Sequence, residues 1–76
     1  MWFEVEGHTD TTGDPVYNKR LGLSRAEAVK EYLHEKHQVP LHKINTVSYG
    51  ETRPVAPNTT KAGRAKNRRI VVRVVA

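Results

Sequence analysis

With 76 residues, 37% of them apolar, and a net charge of +5, the chain has room for one small domain with a thin core. The absence of cysteine excludes disulfides and thiolate metal sites but leaves the compartment open. No apolar stretch is long enough to span a bilayer, and Met1-Trp2-Phe3 opens into a strand-like run, not a signal-peptide pattern, so the chain reads as a cytosolic protein or a piece of a longer one.

Trp2-Phe3-Glu4-Val5-Glu6 alternates as a strand does, with Phe3 and Val5 on one face and Trp2, Glu4 and Glu6 on the other. Gly7 begins its exit, and residues 9–16, rich in Thr, Gly and Asp, form a loop. Asp14-Pro15 reads as a cap and first position of a helical turn. The main helix is predicted over 24–36, with Ala26, Val29 and Leu33 as its apolar stripe and Glu27, Lys30, Glu31 and Glu35 toward water. Val39-Pro40 ends it, because a residue before proline avoids the helical region.

A second strand is predicted from Ile44 to Tyr49, closed by Gly50, and the helix between the two strands implies a right-handed parallel crossover. Residues 51–59 form a loop leading to a short helix near 59–66. The run from Arg69 to Val75 is the clearest strand, with Ile70, Val72 and Val74 facing the helices and Arg73 placed to pair with Glu4 or Glu6.

The charge is unevenly spread. Glu4, Glu6, Asp10 and Asp14 crowd the beginning, whereas Lys61, Arg64, Lys66, Arg68, Arg69 and Arg73 crowd the end, so the two ends should attract. The basic cluster lacks interleaved aromatics for base stacking and its arginines alternate with valines, which argues against nucleic acid and for a solvated face.

Arg25 breaks the helical pattern. It lies about 40° around the wheel from Val29 and so projects toward the apolar stripe, where a charge needs a partner. Asp10 sits just past the first strand, in the loop where ligands gather in α/β units. Two readings follow from the spacing: a salt bridge that pins loop to helix, or an acid and a base facing one pocket that suits a zwitterionic ligand. An enzyme is disfavoured. His34 and His37 lie at the far end of the helix from His8 and Asp10, no carboxylate pair converges, and the glycines make no phosphate loop.

Gly7-His8-Thr9-Asp10-Thr11-Thr12-Gly13, Tyr17-Asn18, Leu21, Ser24-Arg25-Ala26, Tyr49-Gly50-Glu51 and Gly63-Arg64-Ala65-Lys66-Asn67-Arg68-Arg69-Ile70, in that order, resemble the OmpA-like peptidoglycan-binding domain over nearly the whole chain. The resemblance implies an α+β fold: a two-layer sandwich with a βαβ crossover, a short helix and an antiparallel last strand. It implies no cofactor and no metal. It implies non-covalent binding of peptidoglycan through the diaminopimelate of the stem peptide, in the periplasm, as part of a cell-envelope protein, with no membrane insertion by this segment.

Asp10 and Arg25 then match the ammonium and carboxylate at the free end of diaminopimelate, and lysine-type walls, lacking that carboxylate, would leave Arg25 unpaired. Thr9 and Asn18 are expected around the same pocket or as caps, Leu21 as an apolar wall or core residue, and Arg68 as a second arginine for the ligand carboxylate. Arg64, Lys66 and Arg69 are expected to be solvated or structural.

Against the family pattern, residues 1–76 form one domain lacking a strand and helix at the amino-terminal end. The last strand would then have a bare outer edge, and two copies could associate through Arg69 to Val75. The alternative function is a structural or dimerisation module that keeps the scaffold without a complete pocket.

Overall fold

The computed structural model describes residues 1–76. The elements are strand β1 (Trp2–His8), helix α1 (Pro15–His37), a 3-10 turn at Leu41–Lys43, strand β2 (Ile44–Gly50), helix α2 (Lys61–Asn67) and strand β3 (Arg69–Val75). The sheet order is β2-β1-β3, with β2 parallel and β3 antiparallel to β1. This is the α+β architecture expected, with α1 packed on β1 and β2.

The main helix begins at Pro15, not Ser24 as expected, because the Asp14-Pro15 turn is its start and not a separate element. Asp14 Oδ2 accepts the Tyr17 N–H at 3.0 Å, and Pro15 occupies a first-turn position whose N–H would have no helical partner anyway. Gly22 obscured this continuity, since glycine inside a helix costs about 1 kcal/mol relative to alanine. Packing reverses the argument. A Cβ on Gly7 would lie 1.9 Å from the Gly22 carbonyl oxygen, and one on Gly22 would lie 2.4 Å from Ser48 Oγ, so the glycines allow helix and sheet backbones to touch. The helix ends where Gln38 adopts a left-handed φ of 54° and donates its N–H to Leu33 O.

Val5, Ala26 and Ile44 form the buried core, joined by half-buried Phe3, Val29, Leu33, Val39 and Ile70. Register places Ile70, Val72 and Val74 opposite Gly7, Val5 and Phe3, hence on the helix side of the sheet as expected. Only Ile70 finds cover. Val72 and Val74 remain 44% and 62% exposed, because α1 lies over β1 and β2 and leaves β3 open.

The opposite face of the sheet carries a polar cluster among Trp2, Val71 and Val75. Arg73 Nε donates to Glu6 Oε2 at 2.7 Å, which realises the attraction between the chain ends on the diagonal, not to Glu4 directly across. That bond outweighs burial and holds the Glu6 carboxyl below its ordinary pKa, while the Arg73 guanidinium is pushed up. His8 Nε2 donates to Glu6 Oε1 at 3.3 Å, and its ring stacks on Tyr49 with centroids 5.4 Å apart. The Arg53 guanidinium also lies over the Tyr49 ring, 3.6 Å from its centre.

Helix α2 starts at Lys61, two residues later than expected, where Thr60 Oγ1 accepts the Gly63 N–H at 2.9 Å. Its last residue, fully buried Asn67, ties down the preceding loop: Oδ1 accepts from the Val55 and Ala56 N–H groups, and Nδ2 donates to Ala56 O and Asn58 Oδ1. These four bonds fix where Arg68 and β3 begin.

Candidate functional site

The site is built where β1 leaves the sheet. Between Gly7 and His8 the pairing with β2 slips by one residue, and Gly50, at φ 54°, accepts the Thr9 N–H at 2.9 Å. The loop carrying Asp10 is thereby stitched to the end of β2. Asn18, on the first turns of α1, holds the same loop from the other side: Nδ2 reaches Asp10 O at 3.3 Å, Thr12 O at 3.0 Å and Glu51 Oε2 at 3.3 Å. Thr9 Oγ1 donates to Asp10 O at 3.0 Å. Both residues are buried, so their hydrogen bonds serve the loop and expectation shifts toward the capping role.

Asp10 itself is buried, and each of its carboxylate oxygens has a partner. Oδ1 accepts the Thr12 N–H at 2.8 Å and Oδ2 accepts Arg68 Nη1 at 2.7 Å. The Thr12 N–H first, and the Arg68 guanidinium second, hold its pKa below the ordinary carboxylate value. Arg68 is the last residue before β3, and 45% of its side-chain surface remains exposed.

Arg25 departs from expectation. It is exposed, takes part in no ion pair, and Asp10 has taken Arg68 in its place. The reason is visible on α1: the buried line runs through Asn18, Gly22 and Ala26, continuing to Val29 and Leu33, which centres the stripe about 60° from Arg25. Arg25 stands at the margin, on the side of β3, where it lines a shallow pocket of about 260 Å³ with Arg68, Arg69 and Ile70. Leu21 is half-buried on the same margin and lines neither cavity.

Arg25 and Arg68 thus share one pocket, and Arg68 connects that pocket to Asp10. Arg69 is committed elsewhere, donating to Asn67 O at 3.3 Å and Arg53 O at 2.9 Å, and Arg64 donates to Asn58 O at 3.0 Å, so both are structural. Two residues that carry the site escaped sequence reasoning in this role. Glu51 belongs to the Tyr49-Gly50-Glu51 motif, but its bond to Asn18 spans 33 positions; Thr12 acts through its backbone, which leaves no side-chain signature. No group of three His, Asp or Glu residues is arranged to hold a metal ion.

A larger groove of about 680 Å³ lies on the other flank of α1, between Val16, Lys19 and Leu23 and Val47 and Tyr49 at the free edge of β2, and shares Glu51 with the site. Its lining mixes Val16, Leu23, Val47 and Tyr49 with Lys19, Arg20 and Glu51 and contains neither Asp10 nor Arg25.

A sequence model of the OmpA family matches residues 2–68. The chain belongs to the OmpA family. Among its relatives in that family, outer membrane porin F of Pseudomonas aeruginosa is 49% identical over 72 residues, covering 95% of this chain and 21% of the porin. The peptidoglycan-associated lipoprotein of Burkholderia pseudomallei superposes with a TM-score of 0.87 at 37% identity, covering 93% of this chain and 59% of that structure. The periplasmic domain of Helicobacter pylori MotB superposes with a TM-score of 0.80 at 30% identity, over 93% of this chain and 46% of that domain. The OmpA-family chain therefore spans about a fifth of the porin and about half of each solved structure. The α+β sandwich expected from sequence is the fold of these relatives.

Proposed function

We propose that this chain binds peptidoglycan non-covalently, through the diaminopimelate of the stem peptide, and holds an envelope protein to the cell wall without catalysis. It works in the periplasm as part of a cell-envelope protein. The observation that carries the reading is the unpaired Arg25 guanidinium, placed in one pocket with Arg68, whose other contact is the buried Asp10 carboxylate. Two guanidiniums suit a carboxylate, and a carboxylate one side chain away suits an ammonium; a single carbon bearing both groups unites them. Support also comes from a relative named as peptidoglycan-associated, which shares this fold.

Calorimetric titration with a diaminopimelate-containing stem peptide tests the reading. Heat from the parent, with at least a tenfold weaker response from Asp10→Ala and from Arg25→Ala, is expected, since each removes one charge-assisted partner. Equal heats from all three proteins refute these roles.

A second reading, association of two copies, is favoured by one specific observation. The outer edge of β3 is unpaired, and Val72, Val74 and Val75 on that strand stand between 44% and 62% exposed. A second copy adding its own β3 would pair that edge and set apolar side chains beside these valines. Light scattering that returns a monomer mass at every concentration excludes it.

A further inference from the structure

Resting on the binding reading above, we infer that Arg68 is an internal substitute for the ligand's ammonium group, and that it changes partner from Asp10 to the ligand's carboxylate when a zwitterionic ligand enters. The ligand-free site poses a problem that this exchange resolves. Asp10 is 7% exposed, and both of its oxygens already accept bonds, one from Thr12 N–H and one from Arg68 Nη1 at 2.7 Å. Each carboxylate oxygen has lone pairs to spare, but with so little of Asp10 exposed an incoming ammonium has to take the room of a donor already in place, and the backbone N–H is fixed by the loop that Asn18 and Gly50 hold. Arg68 alone can leave, because its side chain is 45% exposed and reaches the site from the start of β3.

The place to which it leaves is also present. Arg68 already lines the pocket that contains unpaired Arg25, so a small rotation would bring two guanidiniums to one carboxylate. With a ligand that carries ammonium and carboxylate on one carbon, every ion pair broken is replaced: ammonium on Asp10, carboxylate on Arg68 and Arg25. A ligand with the amine alone breaks the Asp10–Arg68 pair and leaves Arg68 stranded beside Arg25 and Arg69, a concentration of like charge. A ligand with the carboxylate alone can meet Arg25 but gives Arg68 no reason to release Asp10. The ion pair thus makes the site selective for the two charges together, beyond the sum of two separate contacts.

Three stem peptides decide the matter, identical except that the third residue ends in the zwitterionic carbon, in an amine alone, or in a carboxylate alone. Their dissociation constants are measured for the parent, Arg68→Gln and Arg68→Lys, with thermal unfolding to establish that each variant is folded. For the parent, the zwitterionic peptide is expected to bind at least tenfold more tightly than either single-charge peptide.

In Arg68→Gln the zwitterionic peptide weakens, whereas the amine-only peptide gains severalfold because Asp10 no longer holds a competing cation. Arg68→Lys keeps a cation on Asp10 and is expected to leave the amine-only peptide weak. A gain of affinity on removing an arginine is a result that a purely structural Arg68, or one that contacts ligand without exchanging, does not produce. An amine-only affinity that stays level or falls in Arg68→Gln, with parent binding intact, overturns the exchange and spares the binding reading. No binding of any peptide by the folded parent overturns both.

Discussion

The sheet is covered on one side of β1 and open on the other, and the two halves are stabilised by different physics. Toward β2, helix α1 packs so closely that Gly22 and Gly7 meet backbone to backbone, and Val5, Ala26 and Ile44 are removed from water. Toward β3, the same sheet face carries Val72 and Val74 without cover, and the strand is held by its ladder to β1 and by ion pairs at its base and middle, Arg68 to Asp10 and Arg73 to Glu6. Packing tolerates almost no change in volume, whereas paired charges can trade partners. The pocket proposed to bind ligand lies at the seam, with Arg25 contributed by the covered half and Arg68 by the open one.

The sharpest test of this contrast is Gly7→Ala. The added methyl would meet the Gly22 carbonyl at 1.9 Å, and because backbone faces backbone there, relief requires α1 to lift from β1. A loss of about 3 kcal/mol or more is expected by denaturant unfolding, at the upper end of overpacking costs. A loss below about 1 kcal/mol would mean that helix and sheet can separate cheaply, and the covered half would not be the rigid one.

Asn18→Ala ranks next. It deletes a buried amide that bridges Asp10 O, Thr12 O and Glu51, leaving acceptors unpaired at a cost of about 2 kcal/mol. Because the Asp10 loop hangs on that amide, amide hydrogen exchange should speed up at Thr12 more than at Val5. Uniform acceleration would show that the loop is not a separate unit.

The legibility of these regions in the sequence differed for the same reason. Strand alternation in Phe3, Val5, Ile70 and Val72 reports which face is which, so strand positions and the Arg73–Glu6 attraction could be read directly. Helix α1 begins nine residues ahead of its expected start, because Gly22 and Asn18 weaken a helical pattern unless the neighbouring β1 backbone and loop are known. At the site, proximity of the Asp10 loop to the helix followed from topology, but the choice of partner did not. Arg25 and Arg68 are both arginines within reach of one region, and which of them meets Asp10 depends on the angle of α1 and on Asn67 fixing the start of β3. Neither is periodic.

Acidification is expected to act more weakly, and first at His8, which stacks on Tyr49 on the sheet face away from α1. His8 is buried with Nε2 donating to Glu6 and Nδ1 without a partner, and burial lowers its pKa against the opposing effect of Glu6, with Arg69 and Arg53 also disfavouring charge. A base whose folded pKa is depressed contributes fully above its unfolded value, near 6.5, and the contribution is lost as pH falls below that toward the folded value. Glu6 and Asp10, also depressed, contribute fully above about pH 4 and lose their contribution as pH falls through their folded values. Thermal unfolding should therefore show a first decline below about pH 6.5 that His8→Gln removes, and a steeper one below about pH 4 that it does not. A flat profile between pH 7 and 5 in the parent would contradict the burial of His8.

The smallest effect should come from Val74→Thr. Val74 is 62% exposed, its strand neighbour Phe3 is already shielded by the covered half, and threonine keeps the β-branch that suits a strand. In dilute solution the change should lie within about 0.5 kcal/mol. The same substitution distinguishes an open face from one that a second copy covers. If β3 pairs with another β3, Val74 becomes interfacial, and the cost of threonine grows with protein concentration because association stabilises only the folded form. A constant small cost from micromolar to millimolar protein would show that the open half stays open, whereas a rising cost would make it the covered half of a dimer.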